Sequence, residues 1–333
     1  MKKICCIYFI LTLLNLSKCN ENSIYNNSIS KLIGMVRTEI IDKILLHLPK
    51  REDVNLLQMI REMIKAKEEN SFNDTESAYL VFKWITKNIK AEYIGDHIDE
   101  PTSAYSLGKG STKGMSSLFN NMCNLLKVES GSISGYLKWT NIEDYGINLN
   151  IEFFWNYVEI DGHYYLIDVT KASDMNEFYS NFFSDYTYLY FGTDPEVFIR
   201  MHYPKESKWQ LLPEPYTYEK FESMAALFPL FYLFGCKTIS PDTDILAGSG
   251  KIIISSDKPI PELDLYYNCK QEYDDGVWDA TDGSNKIEIE YDIQRDKCIS
   301  FSIFLKQPNK LELEPIAIYN TKFTYGIYDK YLI

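Results

Sequence analysis

The pattern of apolar and polar residues changes along the chain from a helical period to a strand period. In the N-terminal third, apolar residues recur every three or four positions and predict helices in "KLIGMVRTEIIDKILLHL", "NLLQMIREMIKA" and "NDTESAYLVFKWITKNIKAEY". Asp74 or Thr75 is the expected N-cap of the third helix. Its apolar stripe consists of Ala78, Val81, Phe82, Ile85 and Ile89. Another helix is predicted to begin near Thr112, in "GKGSTKGMSSLFNNM".

Strand patterns follow that helix, in "GSISGYLKW" and "IEFFWNYVEIDGHYYLIDVT". Asp161-Gly162 lies between two apolar runs and predicts a two-residue hairpin turn. Such a turn fixes the pairing of the two strands, with Ile160 opposite His163, Trp155 opposite Asp168, and Phe153 opposite Thr170.

The C-terminal part has the pattern of an all-β domain. Short alternating runs separated by turns occur in "GKIIISS", "LDLYYNC", "NKIEIEYDI" and "CISFSIFLK". Before them, the apolar run "MAALFPLFYLFGC" is too short to span a membrane and is expected to be a buried strand or an interdomain connection. The predicted organisation is a polar and helical segment at 20–69, an α+β domain at 70–225 and a β-sandwich at 226–333.

Composition argues against two classes of partner. The 333 residues are 45% hydrophobic, which is enough for a sizeable core, and carry a net charge of −13. Nucleic-acid binding needs a basic face, and anionic membranes attract clusters of lysine and arginine. We therefore expect neither nucleic acid nor an anionic membrane surface as a partner.

The first residues resemble a secretory signal peptide. Lys2 and Lys3 precede the apolar run "ICCIYFILTLL", and the polar "NLSKCNENS" follows it. The apolar run is well short of the roughly 20 residues that span a bilayer. We expect residues 1–19 to be removed, with cleavage near Ser17 to Cys19, leaving a secreted chain without a membrane span.

A secreted chain can carry glycans and disulfides. Asn26 in "NNS" and Asn73 in "NDT" match the acceptor pattern for N-glycosylation. The mature chain keeps Cys123, Cys236, Cys269 and Cys298. A bridge between Cys269 and Cys298 is possible, although strand alternation places the two side chains differently relative to the core. Cys123 is expected to be buried or in a disulfide.

Metal and cofactor sites are not expected. No two histidines stand at the spacing of metal ligands, and the cysteines are scattered. The stretch "GKGSTKG" lacks the spacing of a phosphate-binding loop and follows no apolar strand.

The predicted hairpin brings three positions of chemical interest together. Phe153 and Asp168 lie on the same face as diagonal neighbours. A histidine at position 153 could be oriented by Asp168 and could activate a cysteine at the N-terminus of the helix near position 112, where the helix dipole also stabilises a thiolate. The positions would suit a Cys-His-Asp triad, but the chain has Thr112 and Phe153.

Residues 70–225 resemble the transglutaminase-like (papain-like) fold, in the branch of the kyphoscoliosis peptidases. The resemblance rests on "AYLVFKWITKNIKAEY", "GSTKGMSSLFNNMCNLLKVESGSISGY", "FFWNYVEIDGHYYLIDVT" and "YFGTDPEVFIRMHYPKESKWQLL", which follow one another in the family's order. It implies that Thr112 replaces the cysteine of Gly-x-Cys-x-Gly, that Phe153 replaces the histidine of His-x-Trp-Asn, and that only Asp168 of the triad remains. In this branch a β-sandwich often follows.

Three functions are open at this point. The leading hypothesis is a secreted pseudoenzyme that binds an unknown protein or cell-surface ligand or has a structural role, with Asp168 as a structural hydrogen-bond acceptor. An alternative is an acyl-transfer or peptidase enzyme with Thr112 as nucleophile. Its base would be unidentified, since His163 faces away from Asp168 and His97 and His202 lie in predicted loops. A third hypothesis is a surface adhesin that acts through the β-sandwich.

Overall fold

The structure is a computed structural model of the chain. It describes residues 29–92, 99–138, 152–179, 187–260, 264–270, 277–293, 300–306 and 314–321. The helices are α1 (Thr38–His47), α2 (Leu56–Asn70), α3 (Asp74–Asn88), α4 (Pro101–Leu107), α5 (Thr112–Leu125), α6 (Val169–Tyr179), α7 (Pro195–Phe198), α8 (Tyr218–Ser223) and α9 (Pro229–Leu233).

The strands that precede α7 are β1 (Lys90–Ala91), β2 (Lys109–Gly110), β3 (Ser130–Leu137), β4 (Phe153–Ile160), β5 (His163–Ile167) and β6 (Phe191–Thr193). The later strands are β7 (His202–Pro204), β8 (Ala226–Leu227), β9 (Thr238–Ser240), β10 (Ile245–Leu246), β11 (Ser249–Ser255), β12 (Asp264–Lys270), β13 (Val277–Ala280), β14 (Lys286–Asp292), β15 (Ser300–Lys306) and β16 (Glu314–Thr321). Every helix and strand predicted from the quoted hydrophobic patterns is present, apart from the strand alternative at 224–236.

The chain forms two compact units, one of residues 1–133 and 154–194 and one of residues 134–153 and 195–333. Helices α1 to α6 belong to the first. In the second, one sheet has the strand order β10-β16-β15-β12-β13, with β8 also paired to β16, and another has the order β14-β11-β9. Apart from the parallel pair of β10 and β16, the strands of these sheets pair antiparallel.

These two sheets have the properties of a β-sandwich. Strand β14 alternates buried Ile287 and Ile289 with exposed charged residues. The ring of Tyr291 in β14 lies 6.2 Å from the ring of Phe301 in β15, so residues of the two sheets meet. The predicted class, an α+β fold followed by a β-sandwich, is confirmed. The boundary near residue 225 stays a prediction, since the compact units group 195–224 with the later strands.

The hairpin of β4 and β5 lies in a five-stranded sheet of order β6-β5-β4-β3-β7. Asp161 (φ 52°) and Gly162 (φ 76°) form the predicted turn, and their positive φ values suit a tight hairpin. The predicted pairing of Ile160 with His163 is confirmed. The ladder ends where Asn156 faces Ile167.

Helix α3 is buried on all sides rather than along one stripe. The side chains from Thr75 to Thr86 are all buried. The ring of Tyr79 lies 4.9 Å from that of Phe191, and the ring of Trp84 stacks on Tyr105 at 5.6 Å, although Tyr79 and Trp84 lie outside the predicted stripe. The stripe marks one contact face only, because neighbours pack around the rest of this helix.

The N-cap of α3 is Asn73, so the prediction of Asp74 or Thr75 was wrong. Asn73 Oδ1 accepts the Glu76 N–H at 2.9 Å, and the Glu76 carboxylate accepts the Asn73 N–H at 3.2 Å, which forms a capping box. Arg37 donates two side-chain hydrogen bonds to the same carboxylate. These bonds hold the pKa of Glu76 below its usual value.

The apolar run at 224–236 is not one continuous strand. It begins with the short strand β8, which pairs with β16, and continues as helix α9 with Pro229 in its first turn. Proline suits the first helical position because its ring fixes φ and its missing N–H is not needed there. The predicted burial is correct for most of its residues. Within the described residues, no helix combines the length and the apolar character needed to cross a bilayer.

Candidate functional site

The N-terminus of α5 carries the position at which a nucleophile was expected. Ser111 is the N-cap, and its Oγ accepts the Gly114 N–H at 3.0 Å. The same hydroxyl donates to the Asp99 carboxylate. Thr112 is therefore held at the first position of a regular helix, where unsatisfied N–H groups create a positive end.

Thr112 lies against the beginning of β4. Its Oγ1 accepts a hydrogen bond from the Phe154 N–H at 3.3 Å, and the residue is only 8% exposed. Phe153, the residue before that N–H, is 3% exposed. The hydroxyl of Thr112 thus serves as an acceptor for the backbone of β4. The side chain of Phe153 has no group that could take a proton, and the predicted proximity of positions 112 and 153 stays a prediction.

Helix α5 is attached to the sheet one turn further on. Ser116 Oγ lies 3.0 Å from the Trp155 carbonyl oxygen, to which it donates, and 2.8 Å from the Ser132 hydroxyl. Asn156 Nδ2 donates to the carbonyl oxygens of Ser116 at 3.0 Å and Gly131 at 3.2 Å. These neutral contacts fix the position of the helix start relative to β3 and β4. Sequence analysis did not identify the contacts that Ser116 and Asn156 make between α5 and the sheet.

Asp168 is buried and bound to backbone. Its Oδ1 accepts the N–H groups of Thr170 and Lys171, both at 2.9 Å, at the start of helix α6. Asp168 is 3% exposed. This agrees with the expectation of a structural acceptor. The predicted pairing of Phe153 with Thr170 was wrong, because Thr170 belongs to α6, which begins at Val169.

The histidines among the described residues contact groups other than the Thr112 hydroxyl. His163 is exposed beside the hairpin turn. His202 is the first residue of β7 rather than a loop residue, is 2% exposed and stacks on Phe198 at 3.8 Å. His47 Nδ1 lies 2.7 Å from the Lys43 carbonyl oxygen. His97 lies outside the described residues.

Two cysteines are buried thiols. Cys123 on α5 and Cys236 form no disulfide, and burial raises the pKa of both, that of Cys236 to about 12. A thiol with a raised pKa is a poor nucleophile. In the β12–β15 ladder, Cys269 faces Phe301. Cys298 lies outside the described residues, so its bridge to Cys269 stays a prediction.

The second unit buries a lysine that sequence analysis did not single out. Lys138 follows β3, is 1% exposed, and donates to the carbonyl oxygens of Phe221 at 2.7 Å, Glu222 at 3.0 Å and Met224. Its Nζ lies 3.7 Å from Asp244 Oδ1. Burial lowers the pKa of Lys138 to about 8, partly offset by the Asp244 carboxylate. Three N–H groups that all point at carbonyls near the end of α8 indicate a structural cation.

The second unit also buries a second cation, the guanidinium group of Arg200. Arg200 donates to both carboxylate oxygens of Asp242, at 3.0 Å and 2.6 Å, and to the Ala225 carbonyl at 2.8 Å. Asp242 in turn accepts the Ala225 N–H at 3.1 Å. The bidentate ion pair of Arg200 and Asp242 thus holds Ala225, which lies between α8 and β8, through both its carbonyl oxygen and its N–H group. Within the described ranges, no group of three or more His, Cys, Asp or Glu side chains could hold a metal ion.

Curated proteins resemble most of this chain, whereas no protein-family model matches it. Kyphoscoliosis peptidase of Mus musculus is 27% identical over 240 residues, which are 69% of this chain and 36% of that protein. Hillarin of Drosophila melanogaster is 25% identical over 217 residues, 60% of this chain and 26% of that protein. The Lim and transglutaminase domain protein ltd-1 of Caenorhabditis elegans is 25% identical over 251 residues, 69% of this chain and 34% of that protein.

The chain thus spans about a third of the length of the curated relatives it matches. Among solved structures, the crystal structure of a TGase covers 47% of this chain and 37% of its own at 14% identity, with a TM-score of 0.26. The resemblance inferred from the quoted segments is confirmed by the sequence relatives.

Proposed function

We propose that this chain is a transglutaminase-like protein of the kyphoscoliosis-peptidase branch and that it is a secreted pseudoenzyme with a binding or structural role. The transglutaminase-like part would serve as a scaffold without acyl-transfer or peptidase chemistry. Its partner would be a protein or a cell-surface ligand. The proposal concerns this chain alone, because the match covers only about a third of the length of the relatives.

The observation that carries the proposal is the contact of Thr112 with Phe154. A threonine hydroxyl becomes a nucleophile only when a base removes its proton. Here Thr112 is a buried residue, its Oγ1 accepts the Phe154 N–H, and the residue before Phe154 carries a phenyl ring. A phenyl ring cannot accept a proton, so the pair lacks both the low pKa of a thiolate and a base.

Asp168 supports the same conclusion. In a triad, a retained aspartate would orient a histidine. In this chain it accepts two backbone N–H groups at the start of α6. Its retention therefore has a structural reason that does not require catalysis.

The test is to restore the missing pair. Thr112→Cys combined with Phe153→His should give a thiol that reacts with an alkylating probe near neutral pH, since the helix N-terminus and an imidazolium both stabilise a thiolate. We expect labelling at position 112 to be roughly tenfold faster than in Thr112→Cys alone, because each unit by which a thiol pKa falls toward neutral raises its thiolate fraction about tenfold. Peptide mapping separates this label from any on the natural cysteines.

The matched control is Thr112→Cys with Phe153→Leu, which changes the same two positions without adding a base. It should react no faster than the single variant. Equal rates in all three variants would contradict the inference that the scaffold still aligns the two positions. Amide hydrolysis or cross-linking by the unmodified protein that disappears in Thr112→Ala would overturn the pseudoenzyme proposal and favour the Thr112 enzyme.

A further inference from the structure

We propose that Asn73 carries an N-linked glycan that is attached before helix α3 folds, and that the same side chain then caps the folded helix. The inference rests on the secretory route proposed above. It adds a modification site and the order of two events: glycan transfer first, helix formation second.

The geometry at Asn73 allows both roles because they use different atoms. The cap uses Oδ1, which accepts the Glu76 N–H at 2.9 Å. A glycan is joined to Nδ2, and no hydrogen bond from Nδ2 is found among the described residues. Asn73 itself is exposed. A glycosylated asparagine keeps its carbonyl oxygen, so the capping box survives the modification.

The order of events follows from the rest of the acceptor pattern. Thr75 is 1% exposed and lies in the first turn of α3, and Glu76 beside it is 2% exposed. A transferase that recognises Asn-x-Thr must reach the threonine hydroxyl as well as the asparagine. In the folded protein that hydroxyl is covered, so recognition requires the chain before α3 has formed.

The transfer itself needs a donor of the class of lipid-diphosphate-linked oligosaccharides. Nδ2 attacks the anomeric carbon of the first sugar and forms the C–N bond. The bond between that carbon and the diphosphate oxygen breaks, and the lipid diphosphate leaves with the bonding electron pair. The amide nitrogen loses one proton to a base of the transferase, which passes it to solvent. No oxidation or reduction takes place.

The chain contains a matched internal control in Asn55. It is the N-cap of α2 and forms the same capping box, with Gln58 in the place of Glu76. The residues after it are Leu56 and Leu57, so the acceptor pattern is absent. Both asparagines are exposed N-cap residues with a capping box. They differ in the residue two positions later, which is Thr75 after Asn73 and Leu57 after Asn55.

The experiment expresses the full chain in a eukaryotic cell line, once with its own leader and once with a leader from a well-secreted protein. Peptides are treated with a glycosidase in heavy-oxygen water and analysed by mass spectrometry. We expect the label at Asn73 and none at Asn55. Label at Asn73 only with the supplied leader would contradict the secretory proposal and support the glycan site. Unlabelled Asn73 in chains whose supplied leader has been removed would overturn the site.

Two variants separate the glycan from the cap. Asn73→Asp keeps a good N-cap and removes the acceptor, so it should lose the glycan and still fold. Thr75→Ala should lose the glycan while Asn73 stays in place. To test the order, folded full-length protein made in bacteria is incubated with microsomes, in parallel with translation of the chain into microsomes. Modification of the folded protein as efficient as that of the nascent chain would overturn the proposed order.

Discussion

Two buried polar networks, one in each unit, are built from contrasting groups. Around the start of α5, the buried contacts are made by neutral hydroxyl and amide groups, chiefly Ser116 and Asn156. In the other unit, two buried cations, Lys138 and Arg200, are held by backbone carbonyls and carboxylates. The neutral network surrounds the position at which the family resemblance implies catalysis, and the charged network lies in the unit with the β-sandwich.

This contrast shows that a perturbed titratable group is not enough to identify an active site. Strongly shifted pKa values often mark catalytic positions. Lys138 has a pKa lowered by burial, yet its N–H groups are directed at three carbonyl oxygens and leave no donor for a substrate. Its environment is that of a residue that ends a helix and joins chain segments.

The largest effect should come from removing the buried lysine. We expect Lys138→Met to lower the free energy of unfolding by about 3–5 kcal/mol, because three carbonyl oxygens and the Asp244 carboxylate lose a buried partner. Urea unfolding followed by tryptophan fluorescence measures this loss.

The matched control is Lys205→Met. Lys205 also follows a strand and pairs with Glu152 at 2.7 Å, but its side chain is 43% exposed. An exposed pair contributes about 1 kcal/mol or less. If both variants lost the same small amount, Lys138 would not be the structural cation that its contacts indicate.

A smaller loss is expected in the neutral network. Asn156→Leu removes the two hydrogen bonds that join β4 to the backbone of Ser116 and Gly131 and should cost about 2 kcal/mol. The same urea titration measures it. Asn124→Ala is the control, since Asn124 is an exposed residue of α5 whose loss should cost less than about 0.5 kcal/mol. An Asn156 variant as stable as this control would mean that α5 is held by other contacts.

Local sequence patterns predicted the helices, strands and turns well, because the preference for each of them depends on residues that are neighbours in the sequence. The Asp161-Gly162 turn, the start of α5 at Thr112 and the strands of the sandwich all follow from spacing and turn chemistry. The end of β5 was less predictable. Asp168 continues an apolar strand pattern, yet an aspartate is also a preferred N-cap, and the chain turns into α6 there.

The buried lysine could not be predicted from local sequence. Lys138 occupies an alternating strand segment like any exposed lysine. Its partners are 83 to 86 residues away in the chain, at Phe221, Glu222 and Met224. The start of α5 at Thr112 was predictable from spacing. The strand pairing extrapolated from the turn as far as Phe153 was not, because α6 begins at Val169, and the hydrogen bond from Phe154 to Thr112 needed the structure.

The smallest effect is a difference in pH dependence between the two buried networks. Burial opposes ionisation of Asp242, but hydrogen bonds and the positive charge from Arg200 outweigh it and hold the pKa of Asp242 below its usual value. A carboxyl group whose folded pKa lies below its unfolded value, about 3.9 for aspartate, contributes stability that is present above that value and is lost as the pH falls through the folded pKa.

We therefore expect Asp242→Asn to cost about 1–2 kcal/mol near neutral pH, since a charge-assisted pair becomes a neutral one. The difference in the free energy of unfolding between this variant and the unmodified protein should stay constant from about pH 7 to about pH 4. It should narrow below about pH 4, because protonation then removes the same charge in the unmodified protein. Asn156 has no ionisable group, so the difference in the free energy of unfolding between Asn156→Leu and the unmodified protein should stay constant over the whole range. Urea unfolding of the three proteins at several pH values measures both differences. If the two differences narrowed together, the loss would reflect acid destabilisation of the whole chain rather than the Arg200–Asp242 pair, and the contrast between a charged and a neutral buried network would not hold.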